Sequence, residues 1–293
     1  SLMASHLEGL REAYDVCKNA CVADWSGAPA STAIKKLVLL SIHFLKRQCA
    51  PVELVSRVPG KRYLAFRRRR VEEGISRPAN SELFVCNERE IGANWEGWIA
   101  GTLPQERLAR ISYTACLAPC LALELFDRQN KKGPATFFEC VIGHVFARAL
   151  RCNPTKGVSL QVEGATARLT MDFLFNTPAD RKFHLAVKLS TRERVVQAWA
   201  HQRILDSAYG TGTYSGIMLL FGETKLDSRS HEVVEICVPE QWLVYQSLLS
   251  RMQRIYYFDP PQRYLDLTAA HPNLIQIRPF ARLFSETTQV LGR

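Results

Sequence analysis

The sequence predicts an α/β fold in which a central mixed β-sheet is flanked by helices and preceded by a mainly helical N-terminal part. Apolar side chains recur at helical spacing over residues 135–150. Residues 167–175 and 183–189 are apolar runs of strand length, joined by the turn-forming sequence at 176–180. A helix from Ser190 to about Ala208, capped by Ser190 or Thr191, then leads to an apolar run at 214–221. This order of helix, strand, strand, helix and strand is that of an α/β sandwich.

The rest of the chain is predicted to be mostly helical. Residues 7–22 and 31–48 have the pattern of two helices, and residues 83–124 that of a loop followed by helices. Residues 233–238 suit a further strand, and residues 241–255 a further helix. We therefore expect a mainly helical region over 1–130 and an α/β core with a C-terminal extension over 131–293, which could also form one continuous domain.

Composition favours an intracellular protein that binds a polyanion. The chain has 38 Lys and Arg against 28 Asp and Glu, a net charge of +10, which favours nucleic acid, with anionic membrane surfaces as the competing partner. No run of about twenty apolar residues and no secretory segment is evident, so we expect a cytoplasmic protein that does not enter a membrane. The nine cysteines do not show the Cys-x-x-Cys spacing of zinc ribbons, which favours free, buried thiols over structural zinc.

The residues with the clearest chemical signal are Asp172 and Lys188, on the two consecutive predicted strands. Asp172 lies between Met171 and Phe173 in an apolar strand, and burying an unpaired charge there is costly. A carboxylate is a preferred ligand of Mg²⁺, which activates water and offsets charge at a scissile phosphate. Lys188 would steady the attacking water or the phosphate. The pair therefore predicts a metal-dependent nuclease.

The order of these residues also resembles a known family. Asp172, a gap and then Ala186-Val187-Lys188, followed by Leu-Ser-Thr-Arg-Glu-Arg-Val-Val-Gln, is similar to the PD-(D/E)XK nuclease core, and most closely to type II restriction endonucleases. The resemblance covers roughly residues 134–240. It implies a restriction-endonuclease-like core, an Mg²⁺ cofactor and a glutamate from the first core helix, here Glu139, at the metal. The catalytic residues that it implies are Asp172, Lys188 and Glu139.

The sequence departs from that family at the second acidic position. The residue two before Lys188 is Ala186, which cannot bind a metal. We expect Glu139 to replace it. Gln202 is the second choice, because one subgroup of these enzymes carries the acid in the following helix, and Gln202 stands fourteen residues after Lys188. The expected metal ligands are therefore Asp172, Glu139 and Gln202.

Several arginines are candidates for DNA contact. The densest basic cluster of the chain is at residues 67–70. Clustered guanidinium groups bind phosphate bidentately, so this cluster is one candidate surface, although a solvated helix face would have the same composition. The helix after Lys188 offers a second surface, and arginine commonly reads guanine. The candidates are Arg67, Arg68, Arg69, Arg70, Arg192, Arg194 and Arg203.

The predicted function is sequence-specific cleavage of double-stranded DNA by a Mg²⁺-dependent type II restriction endonuclease. A homodimer is expected, because palindromic sites call for two-fold symmetry. Ala186 motivates an alternative, a DNA-binding protein that keeps the nuclease fold without catalysis. A basic scaffold protein unrelated to nucleases would explain the charge, but not the order of Glu139, Asp172 and Lys188.

Overall fold

The computed structural model describes residues 2–71, 74–190 and 195–292, with side chains from residue 8 onward. Its α-helices are α1 (Leu2–Ala23), α2 (Ala28–Gln48), α3 (Glu88–Ala100), α4 (Gln105–Phe126), α5 (Gly133–Leu150), α6 (Val196–Tyr209), α7 (Pro239–Val244), α8 (Gln262–Ala270) and α9 (Thr287–Leu291). Its strands are β1 (Cys49–Leu54), β2 (Tyr63–Arg68), β3 (Ala79–Asn80), β4 (Thr155–Val162), β5 (Ala165–Asn176), β6 (Lys182–Lys188), β7 (Tyr214–Leu220), β8 (Thr224–Leu226), β9 (Val233–Glu235), β10 (Met252–Tyr257) and β11 (Ile277–Pro279).

The chain forms two compact units. The first comprises Ser1–His144 together with Glu223–Ile236, and the second comprises Val145–Gly222 together with Cys237–Arg293. The division falls within α5. Each unit has its own β-structure, and the strands that carry Asp172 and Lys188 belong to the second unit.

The first unit is mainly helical, as the sequence predicts, and it also contains β-structure. Helix α2 packs against α1, α3 and α4, with the apolar side chains of Ile34, Leu37 and Leu45 buried. Strands β1, β2 and β3 form an antiparallel sheet, which the sequence analysis did not predict. Because β2 ends at Arg68, the basic cluster Arg67–Arg70 begins in a strand and not on a helix. The alternative explanation of this cluster as a solvated helix face was therefore wrong.

The second unit is built on a six-stranded mixed sheet. The strand order is β11-β10-β7-β6-β5-β4. Strands β6, β7, β10 and β11 run parallel, whereas β5 is antiparallel to both β4 and β6. This sheet confirms the predicted mixed α/β class. The predicted strands at 167–175, 183–189 and 214–221 are β5, β6 and β7.

One face of this sheet buries an aromatic core beneath α6, α7 and α8. Trp199 of α6 meets Trp242 of α7 edge to face at 5.2 Å between ring centroids, and Tyr264 of α8 stacks on Trp242 at 4.2 Å. Aromatic pairs of this geometry add to the free energy that their burial provides. The cluster fixes the helices on the sheet and includes Ala186 of β6.

Two predictions for the later part of the chain are confirmed only in part. The strand predicted at 233–238 is only Val233–Glu235, and it pairs with β8 in a separate sheet of the first unit. The helix predicted at 241–255 ends early: α7 stops at Val244, a π-helical turn covers Tyr245–Leu249, and residues from Met252 enter the central sheet as β10. Strand β10 is buried along nearly its whole length, so its side chains show no period-two alternation that would distinguish it from a buried helix.

The break between that turn and β10 is held by the buried amide of Gln246. Its Oε1 accepts from Trp199 Nε1 at 2.9 Å and from the Met252 backbone N–H at 3.1 Å. Its Nε2 donates to the Met252 and Leu274 carbonyl oxygens at 2.8 and 3.0 Å. The side chain therefore pairs backbone groups that the end of the helix leaves open.

The helix after Lys188 begins later than predicted. Ser190 is not helical, and α6 starts at Val196, so Ser190 is not its N-cap. Thr191, Arg192 and Arg194 lie outside the described residues. The apolar side chains of Ala198 and Trp199, in the first turn of the described helix, are buried against the sheet.

Two helices, α2 and α4, are long and apolar enough to cross a membrane by length and composition. Core helices of soluble proteins meet the same criterion, and 83% of the apolar window in α4 is buried within the protein. The finding is therefore weak evidence for a membrane span. All nine cysteines are free thiols, and six of them are buried.

Candidate active site

Asp172 and Lys188 meet as an ion pair on adjacent strands of the central sheet. Asp172 Oδ2 lies 2.8 Å from Lys188 Nζ and also accepts a hydrogen bond from the Val187 backbone N–H at 2.9 Å. Each side chain is about 20% exposed, so the pair is partly screened from water while open to a ligand. A carboxylate has about four lone-pair positions, so these two bonds do not exhaust its capacity as a ligand.

The antiparallel pairing of β5 with β6 brings these residues together. Phe173 is the partner of Leu185, and side chains alternate between the faces of a strand, so Asp172, His184 and Ala186 share the opposite face. Lys188, the last residue of β6, lies on that face too. The strand pairing therefore brings two residues that are sixteen positions apart in the sequence within hydrogen-bond distance.

Ala186 is buried in the apolar core beneath α6. Only 2% of its surface is exposed, and it belongs to the cluster that contains Trp199 and Met218. A carboxylate at this position would be desolvated among apolar groups, which is costly unless a cation compensates it. The structure thus gives a packing reason for an alanine on the face of the strand that carries Lys188.

Gln202, the second candidate for the missing ligand, is buried and fully engaged. Its Oε1 accepts from His184 Nδ1 at 3.0 Å, and its Nε2 donates to Asp206 Oδ1 at 3.1 Å and to the Tyr214 carbonyl at 2.8 Å. Asp206 also accepts a hydrogen bond from the Ser250 hydroxyl. Through these contacts the Gln202 amide links α6 to β6 and β7.

Two histidines next to this network have perturbed pKa values. His184 is fully buried, and burial lowers its pKa to about 4 against the opposing effect of the Gln202 bond. The imidazole is therefore neutral, with Nδ1 carrying the proton, and among the described residues Nε2 has no hydrogen-bond partner. Burial also lowers the pKa of His201, whose ring centroid lies 6.2 Å from that of His184.

Asp172 and Lys188 act on both histidines with opposite sign, Asp172 raising their pKa and Lys188 lowering it. The four side chains therefore form one electrostatic cluster. The sequence analysis assigned no role to His184, although alternation along residues 182–188 places it on the same face as Lys188. That alternation was the signal that could have found it.

The remaining candidates are carried by other elements of the fold. Glu139 is half-buried on α5, in the part of that helix that belongs to the first unit. Arg67–Arg70 also belong to the first unit. Arg203 lines a polar cleft of about 550 Å³ with Tyr214 and Met252, at the amino ends of β7 and β10. Lys188 is at the carboxyl end of β6, which runs parallel to β7, so the cleft that Arg203 lines and Lys188 lie at opposite ends of these strands.

The described fold is similar to that of a solved nuclease. The crystal structure of the type IIP restriction endonuclease Kpn2I matches with a TM-score of 0.79, covering 96% of this chain and 96% of that chain. The chain has the fold of a type II restriction endonuclease. Sequence identity is 23%, and no family model and no curated protein matches the sequence. The resemblance predicted from the sequence is confirmed at the level of the fold.

The oxygen ligands near Lys188 suit a magnesium ion that is bound by few protein side chains. Mg²⁺ typically uses one or two carboxylates and completes its shell with water and substrate phosphates. Asp172 supplies one partly exposed carboxylate. Among the described residues, no three His, Cys, Asp or Glu side chains form a group that could hold a metal ion.

Proposed function

We propose that this protein is a type II restriction endonuclease that hydrolyses phosphodiester bonds at a specific sequence in double-stranded DNA with Mg²⁺. The observation that carries the proposal is the Asp172–Lys188 pair on adjacent strands of a sheet with the restriction-endonuclease fold. The net charge of +10 supports a polyanionic substrate. The proposed partner is duplex DNA, and the proposed assembly is a homodimer.

Each residue of the pair has a defined task in this proposal. Asp172 and Glu139 would hold the metal, which when bound activates water and offsets charge on the phosphate. Lys188 is held by Asp172 at the end of β6, where its ammonium can hydrogen-bond a phosphate oxygen or the attacking water. The Val187 N–H fixes the carboxylate that orients it. Arg192, Arg194, Arg203, Arg68, Arg69 and Arg70 remain proposed DNA contacts, whereas Arg67, on the opposite face of β2 from Arg68, is no longer proposed as one.

Gln202 remains the second choice as a metal ligand. Because its carbonyl oxygen already accepts from His184, coordination would require that hydrogen bond to break. Loss of a buried hydrogen bond costs about 1–3 kcal/mol when one partner is left unsatisfied. Glu139 is therefore preferred over Gln202.

Ala186 and Gln202 favour a second candidate function, a DNA-binding protein that has the nuclease fold but does not cleave. At both positions where the resemblance expects an acid, this chain has a buried residue without a carboxylate. In that case the Asp172–Lys188 pair would stabilise the sheet and bind no metal.

Incubation of the protein with phage DNA separates the two functions. The endonuclease should produce discrete fragments with Mg²⁺ and none with excess EDTA. Lys188→Gln should abolish the fragments, whereas Lys182→Gln should not. Lys182 is the matched control, because it lies on the same face of β6 at the opposite end of the strand. Intact DNA under all conditions, together with sequence-specific binding, would support the non-cleaving alternative.

A further inference from the structure

A small cleft in the first unit is lined mainly by arginines. Its lining residues are Arg47, Gln48, Arg68, Arg69, Arg70 and Val71, and its volume is about 240 Å³. Pockets for drug-sized ligands range over roughly 300–1,000 Å³. The cleft is therefore suited to one compact group and not to a whole nucleotide.

The local fold brings these arginines together. Arg47 lies in the last turn of α2, which leads directly into β1. Arg68, at the end of β2, is the ladder partner of Cys49. The Arg69 backbone N–H donates to the Gln48 carbonyl at 2.9 Å, and its side-chain Nε donates to the Cys49 carbonyl at 2.9 Å. With Nε engaged, both terminal NH₂ groups of the guanidinium remain for a ligand.

The four positive charges of the cleft are not neutralised within the described structure. No described acidic residue lines the cleft; Glu72 and Glu73, which follow Val71 in the sequence, lie outside the described residues. Other cations of the same unit are paired: Arg62 with Glu82 at 3.5 Å, and Arg77 Nε with Glu124 Oε1 at 2.6 Å. Four like charges repel one another, and guanidinium groups bind phosphate oxygens bidentately. A phosphate in the cleft would relieve the repulsion.

Arg67 is separate from this cleft. It precedes Arg68 in β2, and side chains of consecutive strand residues point to opposite faces. Arg67 is exposed and is not among the lining residues. It thus provides a control of the same residue type in the adjacent position.

We propose that Arg47, Arg68, Arg69 and Arg70 bind one phosphate group of the DNA backbone and that Arg67 does not take part. The choice of DNA as the source of the phosphate rests on the proposed function. Arg47 is a new member of the basic cluster, since the sequence indicated only Arg67–Arg70.

A salt titration of binding to a random duplex without Mg²⁺ tests the proposal. Arg47→Gln/Arg69→Gln should reduce the slope of log affinity against log salt by about 0.9, the value for one phosphate contact. Arg67→Gln should leave the slope unchanged, and Arg47→Gln alone should reduce it by less than the double variant. An unchanged slope in the double variant, or an equal reduction in Arg67→Gln, would overturn the proposal.

Inorganic phosphate provides a second readout that distinguishes the source of the ligand. At constant ionic strength, phosphate should raise the unfolding midpoint of the wild type above that in chloride, and it should not do so for Arg47→Gln/Arg69→Gln. If phosphate stabilises the wild type while the DNA slope is unchanged in the double variant, the cleft takes free phosphate and the DNA proposal is wrong.

DNA cleavage tests the proposed function independently. A wild type that does not cleave, but whose slope depends on Arg47 and Arg69, would retain the phosphate site and lose the endonuclease proposal. A wild type that cleaves DNA, with the same slope in every variant, would lose only the phosphate site. Arg47→Gln alone is the backup if the double variant does not fold, because Arg47 is exposed.

Discussion

At the scale of single residues, the partly exposed Asp172–Lys188 pair is the centre of the proposed chemistry. Surface ion pairs contribute little to stability, with a median of about 0–1 kcal/mol. Asp172 also accepts the Val187 N–H, so its loss would leave a backbone donor in the central sheet without this partner. The functional role and this modest structural role can be separated by substitution.

Asp172→Ala should abolish Mg²⁺-dependent cleavage while leaving DNA binding largely intact. A metal supplies several kcal/mol of transition-state stabilisation, and about 4 kcal/mol corresponds to about a thousandfold in rate. Cleavage rates with Mg²⁺ and gel-shift affinities without it measure the two effects. Asp172→Asn, which retains an acceptor for Val187, should be equally inactive. Cleavage at near wild-type rate by either variant would contradict the assignment of Asp172.

His184 should make the protein less stable in mild acid. The fold lowers its pKa from 6.5 to about 4, so the unfolded chain takes up the proton first as pH falls. The free energy of unfolding that depends on neutral His184 is fully present above about pH 6.5. It falls by about 3 kcal/mol in total as the pH decreases towards 4. Urea unfolding between pH 7 and 4 measures this loss. His184→Asn should reduce the pH dependence, and His271→Gln, an exposed control, should not. Equal pH dependence in wild type and His184→Asn would show that another group is responsible.

At the scale of elements, the two candidates for a second metal ligand lie on different helices. Helix α5 carries Glu139, and α6 carries Gln202 in the position to which the acid moves in one restriction-enzyme subgroup. The amide of Gln202 already has three hydrogen bonds to β6, β7 and its own helix. These hydrogen bonds attach α6 to β6 and β7.

Glu139→Gln should therefore reduce cleavage about as much as Asp172→Ala, whereas Gln202→Ala should reduce it only mildly. Because Gln202→Ala leaves the buried His184 and Tyr214 groups unpaired, it should destabilise the fold by about 1–3 kcal/mol. Cleavage must accordingly be measured well below the unfolding midpoint of each variant. The reverse ranking of activities would assign the second ligand to α6.

At the scale of the whole molecule, the proposed assembly is a homodimer on a palindromic site. Two-fold symmetry would give each strand of the duplex its own Asp172. Sedimentation should find two chains per cognate duplex.

Mixing wild type with Asp172→Ala tests the dimer through its product. If subunits exchange, dimers with one active subunit should cut a single strand, so nicked plasmid should accumulate. Wild type alone is the control and should yield linear plasmid. One chain per duplex, with double-strand cuts and no nicked product in the mixture after exchange, would contradict the dimer.

The sequence by itself determined the class of the fold and the pair at its centre. Strands β5, β6 and β7 and helix α5 were predictable because hydrophobic period and turn residues are local signals. The residue types of Asp172 and Lys188, a carboxylate and an amine on consecutive strands, predicted a site before any distance was known. The resemblance to restriction endonucleases agreed with the fold that the comparison with Kpn2I supports.

Only the tertiary structure decided how the later segments pair and which polar groups are occupied. Strand β10 was predicted to be a helix because it is buried between two parallel strands and its side chains show no period-two alternation. The burial of Ala186, the engagement of Gln202 and the convergence of Arg47 with Arg68–Arg70 all depend on contacts between residues that are distant in sequence. Such contacts leave no local pattern, because they arise from the packing of whole elements and not from the spacing of side chains within one.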